Sequence, residues 1–278
     1  MWMELLDIKS NQVSVLLALI KARQEKLKKK IGEGDNEENM LAYVDTLFDV
    51  ELPDTGRKLS DEELVSLCSE FLIGGTDTSA TTLLWVMANL VKHQDIQEKL
   101  FDEINGVVKV DEDINEENMK KMPYLKAVVL ETMRRHPPGH FILPRAVTED
   151  AVMNGYDIPK DAMVNFTVAE IGWDSQVWED PMEFKPERFL SDHDQQKEFV
   201  FDLKGVKEVK MMPFGAGRRV CPAITMSLLH LEFFVANLVR GFKWALEDGC
   251  EVDMSEKQAF TIVMKNPIRP CLCPRIVS

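Results

Sequence analysis

The most informative segment of this chain is Pro213-Phe214-Gly215-Ala216-Gly217-Arg218-Arg219-Val220-Cys221-Pro222-Ala223. Its two glycines permit a tight, irregular turn, and an almost continuously apolar run follows it as far as Leu238. We expect Pro222 at the first position of a buried helix, where a missing N–H costs nothing. Gly241 suits a left-handed C-terminal cap. Cys221 would then lie at the N-terminal end of this helix, where the helix dipole and two neighbouring arginines favour a thiolate.

Residues 214–221 have the pattern F-G-x-G-x-R-x-C, which resembles the haem-binding loop of the cytochrome P450 monooxygenases. The resemblance implies a thiolate-ligated haem b, with Cys221 as the axial ligand of the iron, Arg219 as a propionate partner and Phe214 as the shield of the sulfur. Ala223 stands where the family usually has glycine. On the residues alone, a structural cysteine after an ordinary loop is the alternative. The cofactor-binding residues implied by the resemblance are Phe214, Gly215, Gly217, Arg219, Cys221 and, from a separate Pro144-Arg145 dipeptide, Arg145.

Composition places the chain among ordinary globular proteins. It has 278 residues, of which 45% are hydrophobic and 29% charged, and a formal net charge of −14. So acidic a balance argues against general nucleic-acid binding. The five cysteines are scattered, odd in number and without a C-x-x-C pair, which favours a reducing compartment over a disulfide framework. The longest apolar run, Val13 to Ile20, is too short to span a bilayer, and the sequence shows no secretory signal.

A long helix is predicted over residues 61–92. Ser60 and Glu63 form a capping box, with Leu59 and Leu64 as its hydrophobic staple. The helix contains a flaw at Gly74-Gly75-Thr76-Asp77-Thr78, because two glycines are unfavourable in a helix interior and hydroxyls can bond back to the preceding turn. The flaw indicates either a backbone opened for a ligand or close packing through the glycines. It resembles the oxygen-activation segment of the family, which implies that Asp77 and Thr78 deliver protons.

A second helix carries Glu131 and Arg134, and Pro186-Glu187-Arg188-Phe189 follows it along the chain. An E-x-x-R pair alone is weak evidence, since ion pairs three residues apart are common on helices. Both elements resemble family motifs in the family's order. The resemblance implies a buried ion network of Glu131, Arg134 and Arg188, which contributes more to one defined arrangement than to raw stability.

The remaining segments predict further helices and short strands. Helices are expected over residues 3–30, 39–50, 93–108 and 124–136, with an acidic, solvated segment over residues 111–117. Strands are expected over residues 141–147, 151–153, 156–158, 163–166, 242–246, 260–264 and 271–276, with turns at Asn154-Gly155 and Pro159-Lys160. Residues 174–213 lack a regular pattern, and by resemblance they form the meander on the proximal side of the haem.

Four motifs in the family's order imply a fold class that is mainly α with small β-sheets, the cytochrome P450 fold. The chain resembles a plant cytochrome P450 of the A-type group, most like family eighty-nine. Only the carboxy-terminal part of a family member is matched, so we expect residues 1–278 to form that part of one domain, truncated on its amino-terminal side. Its expected parts are the threonine-bearing helix at about 60–92, the E-x-x-R helix at about 123–136, the meander at about 174–213, and the haem loop with its helix at 213–241.

The resemblance leads to three functional hypotheses. The first is a haem-thiolate monooxygenase that inserts one atom of O2 into an apolar organic substrate, with electrons from NADPH delivered by a flavoprotein reductase. The second is a hydroperoxide isomerase or dehydratase on the same scaffold, which the acid–alcohol pair disfavours. The third is a truncated remnant that cannot hold haem, and we expect the chain expressed alone to be insoluble or poor in haem.

The resemblance also implies surroundings for the site. Full-length relatives are expected at the cytosolic face of the endoplasmic reticulum membrane, although this chain shows no anchor. Four cations, Lys204, Lys207, Lys210 and Arg218, are expected to face the reductase. The expected lining of the substrate pocket is Phe71, Leu72, Gly75, Phe141, Ile142, Leu143, Phe260, Thr261 and Ile262.

Overall fold

The computed structural model describes residues 2–33, 41–190, 203, 209–247 and 249–275. Helices dominate these residues, and the strands among them form small two-stranded ribbons, which confirms a mainly α fold with small β-sheets. The chain divides into two compact units, Met1–Thr76 and Asp77–Ser278, and the division falls inside one long helix. Residues 191–202 and 204–208 of the expected meander, with Lys204 and Lys207, lie outside the described residues.

The first unit contains three helical segments: α1 (Trp2–Glu33), α2 (Tyr43–Leu47) and the first half of α3 (Asp61–Lys92). Its small core contains Ile20, Leu47, Leu64 and Val65, and Leu59 packs against this core. The predicted capping box of α3 is confirmed. The Glu63 N–H donates to Ser60 Oγ at 3.3 Å, and the Ser60 N–H donates to Glu63 Oε2 at 2.8 Å. Between them these bonds satisfy two backbone donors that the helix start would otherwise leave unpaired.

The α3 helix continues without a break through its two glycines. Thr76 Oγ1 donates to the Leu72 carbonyl at 2.6 Å, as the sequence predicted for hydroxyls in this segment. The opened backbone is therefore not seen. Close packing through the glycines is not seen either, because a Cβ built at Gly74 or Gly75 would meet no described atom within 4 Å.

The second unit adds five helices to the second half of α3: α4 (Gln94–Val107), α5 (Glu116–Met119), α6 (Pro123–Arg135), α7 (Val168–Trp173) and α8 (Ile224–Gly241). Fully buried aliphatic side chains from α3, α4, α6 and α8 form its main core: Val86, Leu90, Leu100, Ile104, Leu125, Val128, Val235 and Val239. The α4 and α6 helices were predicted almost to the residue. The sequence missed α5, which starts where Asn115 and Asn118 cap each other's backbone N–H at 3.0 Å.

Eight strands pair antiparallel into four ribbons: β1 (Arg145–Ala146) with β4 (Met163–Val164), β2 (Ala151–Met153) with β3 (Tyr156–Ile158), β5 (Phe242–Ala245) with β8 (Cys271–Pro274), and β6 (Glu256–Gln258) with β7 (Ile262–Met264). The predicted β2–β3 hairpin is confirmed, and both turn residues, Asn154 and Gly155, have the positive φ of a primed turn. β6 was not predicted. Phe260, expected at the start of a strand, lies instead in the turn between β6 and β7.

The α8 helix differs from its prediction at both ends. It begins at Ile224, with Ala223 as its N-cap, so Pro222 precedes the helix instead of opening it. The helix starts late because the loop first closes on itself, with the Cys221 N–H donating to the Phe214 carbonyl at 2.8 Å. Gly241 has no positive φ and is the last helical residue. No left-handed cap is needed there, since the chain runs straight from the helix into β5.

The α7 helix packs against the last turn of α6 through Gly172. A Cβ built on Gly172 would lie 2.5 Å from the Arg134 carbonyl oxygen, a backbone atom that cannot move aside cheaply. We expect Gly172→Ala to lower the free energy of unfolding by about 1–3 kcal/mol, measured by urea denaturation. Gly106→Ala in α4 is the matched control, because a Cβ there meets no described atom within 4 Å. It should be neutral or stabilise by up to about 1 kcal/mol, and equal effects of the two variants would contradict this packing.

Candidate functional site

The α6 helix carries a bidentate ion pair that is completely buried. Arg134 Nε donates to Glu131 Oε2 at 2.7 Å and Arg134 Nη2 to Glu131 Oε1 at 2.8 Å, and both side chains are 0% exposed. The spare Arg134 N–H groups donate to the carbonyls of Gly172 at 2.6 Å and Pro181 at 2.8 Å. A buried guanidinium needs such additional acceptors, because its loss of hydration is not offset by one carboxylate alone.

Arg188 joins this pair from the short 3₁₀ turn Pro186–Phe189. Its Nε lies 3.4 Å from Glu131 Oε1, an ion pair without hydrogen-bond geometry. The guanidinium also donates to the Asp180 carbonyl at 2.7 Å and to the Glu179 carbonyl. Glu131 Oε1 accepts the Lys185 N–H at 2.8 Å as well. The three charged side chains thus meet in one network, which fastens residues 172–188 to α6.

The N-terminus of α6 is fixed by a carboxylate from another helix. Glu103 of α4 accepts the backbone N–H groups of Tyr124 and Leu125, each at 2.8 Å. Negative charge is favourable at a helix N-terminus, where N–H groups have no partner within the helix. Burial nevertheless raises the pKa of Glu103, against the lowering effect of these two hydrogen bonds. The helix that carries the ion network is therefore held at both ends.

The cysteine loop turns through two glycines of positive φ, 72° at Gly215 and 70° at Gly217. Glycine adopts this left-handed conformation at little energetic cost, and the turn brings the Cys221 N–H to the Phe214 carbonyl. The side chains of Phe214 and Cys221 pack against one apolar cluster, whose buried members are Ala127, Leu130, Trp178, Phe189, Leu203, Met211 and Ile224. The thiol is half-buried, so it lies at the edge of the core.

A narrow cleft separates the cysteine loop from α3. Its lining, apolar apart from four hydroxyl side chains, comes from α3, α6, the following loop, the cysteine loop and α8: Thr78, Ser79, Thr82, Met133, Pro138, Pro213, Phe214, Ser227 and Leu231. Thr82 Oγ1 donates to the Thr78 carbonyl at 2.9 Å and closes a turn of α3 beside the cleft. The sequence analysis named only Thr78 and Phe214 of this lining. Thr82 could have been found from its position one helical turn after Thr78.

The comparisons with known proteins agree with this arrangement. Residues 1–272 match the family model described as Cytochrome P450. The chain belongs to the cytochrome P450 family. It is 48% identical to cytochrome P450 89A9 of Arabidopsis thaliana, over 99% of this chain and 53% of that protein, which confirms the predicted likeness to family eighty-nine. It is 35% identical to flavonoid 3'-monooxygenase of Arabidopsis thaliana, over 88% of this chain and 48% of that protein.

Solved structures confirm the cytochrome P450 fold. Retinoic acid-bound cyanobacterial CYP120A1 aligns with a TM-score of 0.79 and 25% identity, over 96% of this chain and 56% of that one. The chain therefore spans about half the length of the curated relatives it matches. In the part of the chain that the structure describes, no helix has both the length and the apolar character to cross a membrane.

Other site residues predicted for this cytochrome P450 lie at the surface. Asp77 and Arg219 are exposed and Arg145 is partly exposed, and within the described ranges none of them makes an ion pair. Asp77 does not line the cleft, although it neighbours Thr78. The two arginines are thus available to an anionic partner, whereas the acid of the predicted acid–alcohol pair faces outward.

The predicted substrate-pocket residues separate into groups. Phe71, Leu72 and Gly75 belong to the first unit. In the second unit, Phe141, Leu143 and Phe260 are exposed and Ile142 is partly buried. Thr261 and Ile262 are buried and hydrogen-bonded to α3. None of the predicted residues is among those that line the cleft, so the pocket stays a prediction.

The ion network gives a direct test of its structural weight. We expect Glu131→Gln to lower the free energy of unfolding by about 3–5 kcal/mol, because it leaves two guanidinium groups without their buried counter-charge. Urea denaturation measures this loss.

Glu117→Gln is the matched control, since Glu117 also pairs with a residue three positions away, at 2.6 Å to Lys120, but both side chains are largely exposed. Its effect should stay below about 0.5 kcal/mol. A loss for Glu131→Gln as small as this would mean that the buried network contributes no more than a surface pair.

Proposed function

We propose that this chain is the haem-binding and oxygen-activating part of a haem-thiolate monooxygenase. The enzyme would insert one oxygen atom of O2 into an apolar organic substrate. The observation that carries the proposal is the cleft between the α3 hydroxyls and the cysteine loop, found in a chain of the cytochrome P450 family. Thr78 and Phe214 both line that cleft, which supports a site shared by a proton-carrying group and the proposed ligand loop.

The residues present fit haem b, the cofactor that the family implies. The cleft offers a mainly apolar lining. The half-buried Cys221 is not part of that lining, but it belongs to the same loop and the same apolar cluster as Phe214, which does line the cleft. An exposed, unpaired Arg219 suits a carboxylate such as a propionate, because guanidinium and carboxylate form strong charge-assisted hydrogen bonds. We propose Cys221 as the ligand, Phe214, Gly215, Gly217 and Arg219 as the loop contacts, and Arg145 as a second propionate partner. Haem bound there would supply dioxygen activation, favoured by a thiolate ligand.

Two features of the loop would keep Cys221 suited to ligation. A thiolate, and not a thiol, binds metal, and the Cys221 backbone N–H is already committed to the Phe214 carbonyl at 2.8 Å. That bond fixes the loop and keeps the Phe214 ring beside the cysteine in the same apolar cluster. We expect the ring to cover one side of the sulfur and to limit the access of water to it.

Proton delivery would pass along α3. The Thr78 side chain reaches the cleft while Asp77 faces solvent, so neighbouring residues connect the inside of the site with water. We propose that Asp77 exchanges protons with solvent and that the Thr78 hydroxyl presents a proton inside the cleft. This arrangement favours oxygen activation over the isomerase or dehydratase reading, which needs no such relay.

Substrate, electron donor and location are proposed at a coarser level. The name of one relative, flavonoid 3'-monooxygenase, describes oxygen insertion into an organic ring compound, and the exposed Phe141 and Phe260 suit an apolar substrate. We propose an NADPH-dependent flavoprotein reductase as the donor, docking near Arg218 and Lys210. The full-length protein would work at the cytosolic face of the endoplasmic reticulum membrane, as expected for the family.

Ligation is tested by Cys221→Ser in haem-loaded protein. The reduced, carbon-monoxide-bound wild type should show the red-shifted band of thiolate ligation, and the variant should lose it because a serine hydroxyl does not replace the sulfur. Cys250→Ser, at an exposed cysteine away from the loop, should keep the band. A wild type that binds no haem would favour the reading of a non-catalytic remnant, and an unchanged band in Cys221→Ser would refute the ligand assignment.

The relay is tested by Thr78→Ala. We expect haem binding to persist while NADPH is consumed without product and hydrogen peroxide accumulates, because proton delivery no longer keeps pace with electron transfer. The measurement is the ratio of product to NADPH consumed. Thr76→Ala is the control, since Thr76 Oγ1 is engaged with the Leu72 carbonyl and does not line the cleft. Equal coupling in both variants and wild type would contradict the proposed relay.

A further inference from the structure

The turn between β6 and β7, residues 259–261, lies directly behind one wall of the cleft. The Ile262 N–H donates to the carbonyl of Pro138, a lining residue, at 2.8 Å. Thr261 Oγ1 meets Thr81 Oγ1 at 2.7 Å, one residue before the lining Thr82. Trp85 Nε1 donates to the Ile262 carbonyl at 2.7 Å. The position of this turn is therefore tied to the cleft by three buried hydrogen bonds.

The base of the same hairpin is held by one carboxylate between two histidines. Glu256 Oε1 is hydrogen-bonded to His136 Nδ1 at 3.1 Å. Glu256 Oε2 lies 2.8 Å from His140 Nε2, an ion-pair contact without hydrogen-bond geometry. His136 is the C-cap of α6 and is 2% exposed, whereas His140 belongs to the loop between α6 and β1. The carboxylate thus connects β6 to two separate points of the α6–α7 segment.

Both imidazole rings are fixed independently of Glu256. His136 stacks in parallel on Trp85 with ring centroids 4.1 Å apart. His140 packs edge-on against Trp173 at 5.4 Å, and its carbonyl accepts the Val168 N–H at 2.7 Å, which caps α7. Aromatic contacts and a backbone hydrogen bond hold the two rings in place. The rings therefore determine the position of the Glu256 carboxylate.

We propose that Glu256 is a positioning residue, held between His136 and His140, that sets where the Phe260 turn stands beside the cleft. Phe260, at the tip of that turn, is 74% exposed and would present its ring to a bound substrate. The link to substrate rests on the proposed function. The role of Glu256 in holding the hairpin does not depend on that function.

The charges around the carboxylate determine the direction of the pH effect. Burial lowers the pKa of His136, against the hydrogen bond with Glu256, and the charges of Arg135 and Arg134 lower it further. Burial raises the pKa of Glu256, but the hydrogen bond from His136 and the charges of His140, His136 and Arg135 bring it below its usual range. Groups with depressed pKa values stabilise the folded form at higher pH and lose that effect on acidification. Burial of His136 should therefore weaken the attachment of the hairpin below the ordinary histidine pKa of about 6.5, and the Glu256 carboxylate should limit that loss.

Hydrogen exchange on the full chain tests whether Glu256 holds the β6–β7 hairpin, and it requires no enzymatic activity. At pH 7.5, Glu256→Gln should speed exchange in the peptide covering residues 256–264 by about tenfold, since hydrogen bonds to a charged group contribute more than one decade. Glu251→Gln is the matched control, an exposed glutamate with no ion pair among the described residues. Equal exchange in the two variants would overturn the proposal.

A second variant protects the test against misfolding. His140→Phe keeps a ring against Trp173 but removes Nε2, so it should loosen the hairpin while leaving exchange in α7 unchanged. In wild type, lowering the pH from 7.5 to 5.5 should accelerate hairpin exchange beyond its intrinsic chemical change, and it should do so more in Glu256→Gln, because His136 then becomes charged without its carboxylate partner. A pH response of the same size in wild type and Glu256→Gln would also overturn the proposal.

Two azole probes separate the hairpin from the cofactor. Imidazole and 4-phenylimidazole both shift the haem spectrum when they ligate the iron, but only the second extends a ring into the cleft. Glu256→Gln should weaken 4-phenylimidazole several-fold and leave imidazole unchanged. No shift with either probe in wild type would refute the proposed function, and the exchange result would still decide whether Glu256 holds the hairpin. If Glu256→Gln speeds hairpin exchange but leaves 4-phenylimidazole binding unchanged, the proposed effect of the Phe260 turn on ligands in the cleft would be overturned.

Discussion

The arrangement of the second unit depends on the buried ion pair between Glu131 and Arg134. Taking two charges out of water is unfavourable unless every remaining donor and acceptor finds a partner. Here the partners come from outside α6, at the Gly172 and Pro181 carbonyls, the Lys185 N–H and the Arg188 guanidinium. Any displacement of residues 172–188 would therefore strand part of a buried charge. Residues 172–188 are largely irregular and lack the repeated backbone hydrogen bonds of a helix or sheet. Their contacts with the buried charges keep them in one conformation instead.

This fixed segment bears on the candidate site through α6 and its neighbours. α6 contributes Met133 to the cleft, and the loop after it contributes Pro138. The cluster that holds Cys221 and Phe214 also includes Leu130 of α6 and Phe189 of the segment carrying Arg188. The ligand loop and the ion network are thus parts of one packing arrangement. A substitution that weakens the ion network should therefore also disturb the conformation of the cysteine loop, because these apolar contacts connect the two.

Local signals in the sequence were sufficient for the helices, and long-range contacts decided what the sequence missed. The capping box at Ser60 and Glu63 fixed the start of α3, and Pro123 opened α6, because both signals act within one turn. The start of α8 could not be read from Pro222, since the Cys221 N–H bonds back to Phe214, seven residues away. The contact of Glu256 with His136 could not be read either, since the two residues lie 120 positions apart. No local pattern encodes such a partner.

The residues of the candidate site show the same division. The motif residues Glu131, Arg134 and Arg188 meet as the resemblance implied, and Thr78 and Phe214 share a cleft. Ser227 and Leu231 of that cleft carry no motif, and their place follows only from the way α8 packs. Asp77 and the expected pocket residues are not among the residues that line the cleft. The sequence shows which residues share one face of a helix. It does not show which of those faces packs against a distant loop.

Between Tyr124 and Arg134, every residue of α6 except Lys126 is buried. A helix with a free surface can accumulate changes on that side without consequence for its neighbours. α6 has almost no such side, so each substitution alters a contact with α3, α4, α8 or the segment after α7. Because effects of touching residues are not additive, acceptable changes in this helix should arise together with changes in its neighbours. The evolutionary history of this family ought to record α6 as a helix that varies only in concert with its surroundings.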